Sequence, residues 1–286
     1  MSAPLSATAE EPAEVTPRSS EEIAERLVIA GRQRMLAEGM AAKLCLAESG
    51  IARENSQNEL YLMWNIFDWY HVGLVFGNPQ LGLAREESLR VVGAWRALDG
   101  DWAVLKSIYE PVLEGASVSA ADFAQAQVST GAVTQGATDL VAALRAAYSQ
   151  ELGPQGFGSA LLIDLYERQR MLTQRMAKDV CLISRGETGA DRQANLTQVI
   201  EIFDASLNAF QNGLPEAGVP QPPTQAIAAR LSEAKSLWDP VKPVAFAAAG
   251  GRELNGAELT GFAVTMDRFL SVMTAAINEL VATQGQ

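Results

Sequence analysis

The residues of this 286-residue chain best placed to do chemistry are arginines. The pentapeptide Arg-Gln-Arg-Met-Leu stands at 32–36 and again at 168–172. On a helix, Leu27, Gly31, Arg34, Glu38, Ala41 and Cys45 share one face, and Ile163, Glu167, Arg170, Gln174, Ala177 and Cys181 share the matching one. Outside its polar cluster each face is small or apolar, as close helix–helix contact prefers. An arginine in such a stripe is at least partly desolvated and must find a negative partner. Two of them at equivalent positions, meeting across a pseudo-twofold, repel. An anion between them turns that repulsion into a clamp of charge-assisted hydrogen bonds. A plainer reading stands beside this one: Glu38 follows Arg34 by four residues and Glu167 precedes Arg170 by three, the spacing of intrahelical ion pairs. Arg32 and Arg168 project away from the face and read as surface charges.

Other reactive side chains are few. The single histidine, His71, stands three residues after Asp68, the spacing of a di-iron ligand pair, but such sites need a second histidine-bearing helix. His71 therefore reads as part of a helix face, and neither metal nor cofactor is expected. Cys45 and Cys181 lie far apart, form no CxxC and give little sign of a disulfide framework. They read as small buried packing residues, with a redox role as the lesser alternative. There is no Ser/His/Asp set, phosphate loop or evident carboxylate pair, so the chain does not read as an enzyme.

A formal net charge of −12 argues against nucleic acid, whose binders need a surplus of Lys and Arg, and against anionic lipid. It leaves room for a local anion site, because a few arginines dominate the field inside a small desolvated pocket. No apolar run reaches the roughly 18 residues of a membrane span, so no membrane insertion is expected. Residues 1–20, rich in Ala, Pro, Ser and Glu, read as a disordered leader and not as a signal peptide. The expected compartment is the cytoplasm, or the periplasm if the chain is the trimmed form of a longer one.

An internal repeat supplies the elements that must position the arginines. At a constant offset of 136, Met40 meets Met176, Cys45 meets Cys181, Asp68 meets Asp204, Trp102 meets Trp238, and Lys106 meets Lys242. One gapless register over more than a hundred residues is the mark of tandem duplication. Gly and Pro punctuation divides the first copy, 21–150, into helices at about 21–48, 54–76, 85–113 and 119–150. The second copy, 159–286, divides at about 159–185, 190–212, 223–246 and 256–283, and Gly153 to Gly158 joins the two. Pro111, Pro240 and Pro243 are expected to kink or end the third helices. The fold expected is all-α, two tandem four-helix bundles related by an internal pseudo-twofold, with their first helices together. Trp64, Trp69, Trp95 and Trp102 crowd the first copy beside Phe67, Tyr70 and Phe76, most for the core and some for a docking surface.

The stretches from Ala30 to Leu36 and from Glu167 to Lys178 resemble the first helix of PilJ-type input domains, found at the N-terminal ends of type IV pilus chemotaxis transducers. They are also similar to the shorter P-box of NarX-type nitrate/nitrite sensor kinases. The resemblance implies four-helix bundles that pair through their first helices, with one nitrate on the twofold axis held by an arginine from each side. Those arginines fall on Arg34 and Arg170, and the second arginine of the PilJ-type motif falls on Arg175. The first copy carries Gly39 there, with Ala37-Glu38 in place of Thr-Gln, a departure from a strictly symmetric site. The ligand-binding set implied is Arg34, Arg170, Gly31, Arg175 and Gln174. The expectation is a non-enzymatic sensor that binds nitrate or nitrite between its repeats and signals through a partner protein; the alternative is an adaptor that kept the fold and lost the ligand.

Overall fold

The computed structural model describes residues 18–282, and of Pro154, Gln155 and Phe157 the backbone alone. Most of the leader read at 1–20 lies outside the described residues, while Ser20 already opens the first helix, capped by the Ser19 hydroxyl on the Glu22 N–H. The described chain is helical throughout: α1 Ser20–Glu48, α2 Arg53–Phe76, α3 Leu89–Leu113, α4 Ala120–Ala147, α5 Ser149–Ser184, α6 Ala190–Asn212, α7 Gln225–Ala249 and α8 Gly256–Ala282. Two short 3₁₀ turns, Pro79–Leu81 and Pro215–Ala217, sit at the same offset of the repeat. Each is entered through a glycine at positive φ, Gly77 at 82° and Gly213 at 75°, where the chain folds back so tightly that a Cβ on Gly77 would stand 2.9 Å from the Arg85 amide nitrogen.

Two expectations change in detail. Pro111, Pro240 and Pro243 lie inside α3 and α7, and α7 runs on to Ala249. Burial of Trp238 before the prolines and of Ala245, Ala248 and Ala249 after them holds that helix against α8 despite the missing N–H groups. The joint between the halves is shorter than read. Only Gly153 leaves helical geometry (φ 60°, ψ −178°), and the helix resumes directly behind it.

Helix α1 packs on α2 and α4, α3 packs on α4, and α5 packs on α6, α7 and α8. The most extensive helix–helix contact joins α1 to α5. These two run parallel and in register. Gly31 lies against Glu167, and Cys45 is bonded to Cys181, two contacts between residues 136 apart. The face read from the sequence is thus a seam with the four-three spacing of a parallel coiled coil: Leu27 with Ile163, Gly31 with Glu167, Arg34 with Arg170, Glu38 with Gln174, Ala41 with Ala177, and Cys45 with Cys181. All twelve side-chain positions are buried.

The cysteines correct the sequence reading. They form a disulfide, with Cα atoms 6.2 Å apart and no free cysteine left among the described residues. Their separation of 136 residues gave no local spacing to recognise; the in-register packing of α1 on α5 is what brings them together.

A second duplicated feature fastens the helices around the seam. Trp102 Nε1 and Lys106 Nζ donate to Asp68 at 3.1 and 3.0 Å, and Trp238 Nε1 and Lys242 Nζ donate to Asp204 at 2.8 and 2.7 Å. Phe67 and Phe203 pack beneath, against Trp102 and Trp238. Trp95 and Trp102 belong to the core, whereas Leu62, Trp69, Val72 and Phe76 form an exposed stripe along α2. His71 is buried, stacked on Trp95, with Nε2 3.1 Å from Asp99 and Nδ1 3.3 Å from Gln33. Among the described residues no group of three His, Cys, Asp or Glu side chains could hold a metal, and no helix is long and apolar enough to cross a membrane.

Replacing both Cys45 and Cys181 by alanine is expected to cost about 2–4 kcal/mol, read as a lower denaturant midpoint, with the wild type falling to the same midpoint under reductant. The carboxylates give a pH signature. Partial burial pushes Asp68 and Asp204 up, but the Trp and Lys hydrogen bonds outweigh it and hold both below the usual carboxylate range. Their contribution is therefore complete above the unfolded carboxylate pKa of about 4 and is lost as pH falls through the lower folded value. The double variant Asp68→Asn, Asp204→Asn should lower the melting temperature at pH 7 and show a smaller further loss than wild type between pH 5 and 2.

Candidate functional site

The polar section of the α1–α5 seam begins where Gly31 faces Glu167. Glycine is required at that point: a Cβ on Gly31 would stand 2.9 Å from Glu167 Cβ and 3.2 Å from Arg34 Nη2. The missing side chain admits the Glu167 stem into the seam, and its carboxylate then meets the Arg170 guanidinium one turn further along α5. Arg170 Nη1 donates to Glu167 Oε1 at 2.8 Å and Oε2 at 2.9 Å. Burial holds the Arg170 pKa below that of an ordinary arginine; Glu167 counters this in part, and the Arg32 charge adds to the depression. Its Nε is buried with no hydrogen-bond partner.

Arg34, in the same layer of the seam, takes a different partner. Its Nη2 donates to Asp164 Oδ1 on α5 at 2.5 Å, and its Nε to the Gly31 carbonyl at 3.4 Å. Asp164 Oδ2 also meets Arg145 of α4 at 3.4 Å. Of the two intrahelical pairs weighed from spacing, Glu167 with Arg170 forms; Arg34 with Glu38 does not. Glu38 instead accepts from Lys178 of α5 at 2.6 Å and from the Thr134 hydroxyl at 3.4 Å. Arg168 is exposed, as read, but Arg32 is not a free surface charge: it donates to the Tyr70 hydroxyl at 2.6 Å and lies over that ring.

The five residues implied by the resemblance separate into two places. Gly31 packs against Arg34 and against Glu167, which holds Arg170, but the two guanidiniums turn to different carboxylates, and Gln174 lies one layer further along the seam, with Oε1 3.3 Å from where a Gly39 Cβ would stand. Arg175 does not join them. Five residues beyond Arg170, it is turned about 140° round the helix and opens into a polar cleft between α4, α5 and α6. That cleft has a volume of 460 Å³ and also takes in Glu38, Lys178 and Asp179. Burial lowers the Lys178 pKa, but Glu38 and Asp179 outweigh it and hold the ammonium above the pKa of an ordinary lysine. Burial pushes the Asp179 carboxyl up, and Lys178 counters that shift. Asp164, Lys178 and Asp179 were not singled out from the sequence. Their signal lay in the differences between the copies, where Ala42 answers Lys178 and Lys43 answers Asp179.

With these positions established, comparison with known proteins adds one finding. Residues 157–258, from within α5 to the first turn of α8, match the family described as type IV pili methyl-accepting chemotaxis transducer N-term. The matched segment contains Glu167, Arg170, Gln174 and Arg175. No curated protein matches the chain.

The Gly31 contact makes a sharp test of the seam. Gly31→Ala should lower stability by about 1–3 kcal/mol, because the atom it meets is a Cβ rather than the free end of a side chain. Gly93→Ala on α3, where a Cβ meets nothing within 4 Å, should leave stability equal or raise it by about 0.5–1 kcal/mol. Denaturant unfolding of the two variants compares them directly.

Proposed function

We propose that the chain is a ligand-binding signal-input protein, not a catalyst, which takes up nitrate or nitrite in the polar section of the α1–α5 seam and passes the signal to a partner protein. The observation that carries this reading is Arg170: a buried guanidinium, with an unpartnered Nε, in the same layer of a helix seam as Arg34. The chemotaxis-transducer match over residues 157–258 supports a sensing role, and it includes that arginine. The relation to nitrate sensors rests on the motif around Arg34 and Arg170.

The same reading treats the molecule as two four-helix units related by an approximate twofold. Two equivalent positions in contact must lie near any axis that relates the copies. Cys45 with Cys181, and Gly31 with Glu167, are two such contacts and support it. Because that axis lies within one chain, one anion binds per polypeptide. The disulfide supports an oxidising compartment such as the periplasm over the cytoplasm expected from the sequence.

Nitrate is planar and offers two oxygens to a guanidinium edge as a carboxylate does. It therefore competes with Glu167 for Arg170 and with Asp164 for Arg34. The same two carboxylates favour a second reading, an adaptor that keeps the fold and needs no anion, since each arginine already has a partner.

Calorimetric titration with nitrate, nitrite, sulfate and chloride separates the two. Nitrate or nitrite should bind once per chain. Arg34→Ala and Arg170→Ala should each weaken it roughly ten- to a hundredfold, the loss of one charge-assisted contact. Glu167→Gln, which removes the competing charge, should tighten it. If none of the four anions binds wild type, the adaptor reading stands.

A further inference from the structure

The cleft that holds Arg175 has no role in the seam reading, and its chemistry is of another kind. Its wall carries three basic side chains, Arg175, Lys178 and Arg192, and three acidic ones, Glu38, Asp179 and Asp191. Equal numbers of both signs give no preference for a simple anion or a simple cation. Part of this charge is already used internally: Lys178 is paired with Glu38, and Arg192 lies 3.5 Å from Asp179 and 3.0 Å from Glu187. Arg175 and Asp191 are left over. Among the described residues neither side chain forms a hydrogen bond or an ion pair, Arg175 being half-buried and Asp191 exposed in the first turn of α6, although the Arg175 charge is felt by both Lys178 and Asp179. Gln127 reaches the same space from α4, and both its amide atoms are buried with no hydrogen-bond partner. A buried amide lacking both a donor and an acceptor partner is costly unless something supplies them.

The repeat provides an internal control, because the equivalent place in the other half is closed. At the 136 offset Arg175 becomes Gly39, Lys178 becomes Ala42, Gln127 becomes Ala263 and Gly131 becomes Asp267. There Met63 fills the space beside Gly39, its Sδ 2.8 Å from where a Cβ would stand. Lys43 bridges Glu59 at 2.5 Å and Asp267 at 2.7 Å, tying α1 to α2 and α8. On the open side Gly131 stands where Asp267 would be, and a Cβ there meets nothing within 4 Å. One member of the duplicated pair is stitched shut; the other is open and lined with unmatched polar groups.

We propose that the cleft between α4, α5 and α6 is a second ligand site, for a small zwitterion bearing a carboxylate and an ammonium group, an amino acid in chemical class. Arg175 takes the carboxylate, Asp191 the ammonium, and the Gln127 amide one further donor and acceptor. The volume of 460 Å³ lies at the small end of ligand pockets, which span roughly 300–1,000 Å³.

The test uses the full chain. Each of the twenty common L-amino acids is screened by thermal shift, and the best is titrated calorimetrically beside propionate and ethylamine, which carry one charged group each. The expected result is one amino acid bound per chain, with propionate and ethylamine at least tenfold weaker. Arg175→Gly and Asp191→Asn should each weaken the amino acid at least tenfold. Gly131→Asp, which installs the residue of the closed side, should abolish binding while circular dichroism stays unchanged. Arg175→Gly should bind nitrate as wild type does, and Arg170→Ala should bind the amino acid as wild type does, so this site and the seam fail independently. Absence of any thermal shift across the panel, propionate binding as tightly as the amino acid, or Arg175→Gly and Asp191→Asn both binding like wild type would each overturn the proposal.

Discussion

Two buried guanidiniums in one layer of a helix seam are the constraint around which this molecule is arranged. An arginine cannot be desolvated alone, so each needs a carboxylate beside it, and α5 supplies both, in different ways. Glu167 reaches Arg170 only because Gly31 leaves room for its stem, and Asp164 reaches Arg34 from the flank of α5 with Arg145 as its second partner. A slip of one residue between α1 and α5 would break both arrangements. Buried polar positions in a coiled-coil seam set register in this way, at some cost in stability. The Cys45–Cys181 bond fixes the same register covalently near the other end of the seam.

That register determines what lies outside the seam. With α1 and α5 locked in parallel, α4 and α6 are brought to one side and α8 and α2 to the other. The side chains there have diverged. Lys43 closes one side, while Lys178 turns back to Glu38 and leaves Arg175 and Gln127 facing a cleft. A further asymmetry belongs to the first half alone. Arg26 is wholly buried and bonded to Glu22, Glu86 and the Leu74 carbonyl, and Tyr148, its hydroxyl pKa raised to about 12 chiefly by burial, donates to Glu86 at 2.6 Å. The positions of Arg26 and Glu86 in the second half are Leu162 and Pro222, so this network secures the start of α1 and has no counterpart at α5.

The asymmetry bears on how such a molecule could transmit a signal. In the reading proposed here, an anion in the seam exchanges with Glu167 and Asp164, and the second of those carboxylates is joined to a neighbouring helix. Asp164 connects the seam to α4 through Arg145, and α4 also forms one wall of the cleft. The two proposed sites thus share α1, α5 and the seam residue Glu38, while the arginines that take the ligands are different.

The sequence alone determined the helices and most of their ends, though not the start of α5, because glycine punctuation and helical periodicity are local properties, and the 136-residue offset is read by comparing the chain with itself. The bounds of α2 and α6 fall within a residue of the reading, and Asp68, Trp102 and Lys106 with their equivalents were visible as matched pairs before any contact was known. The seam face was also legible, since its spacing needs no partner to be recognised. What each side chain does there was decided by the tertiary structure. Spacing offered Glu38 to Arg34, but a carboxylate goes to whichever cation it is buried beside, and that was Lys178 of another helix. The cysteines looked unconnected because disulfide geometry depends on distance in space, and only the in-register packing of α1 on α5 brings residues 45 and 181 together. Arg175 appeared as one more member of an arginine motif until the turn of α5 placed it in a separate cleft, among residues from four helices that no local pattern could have assembled.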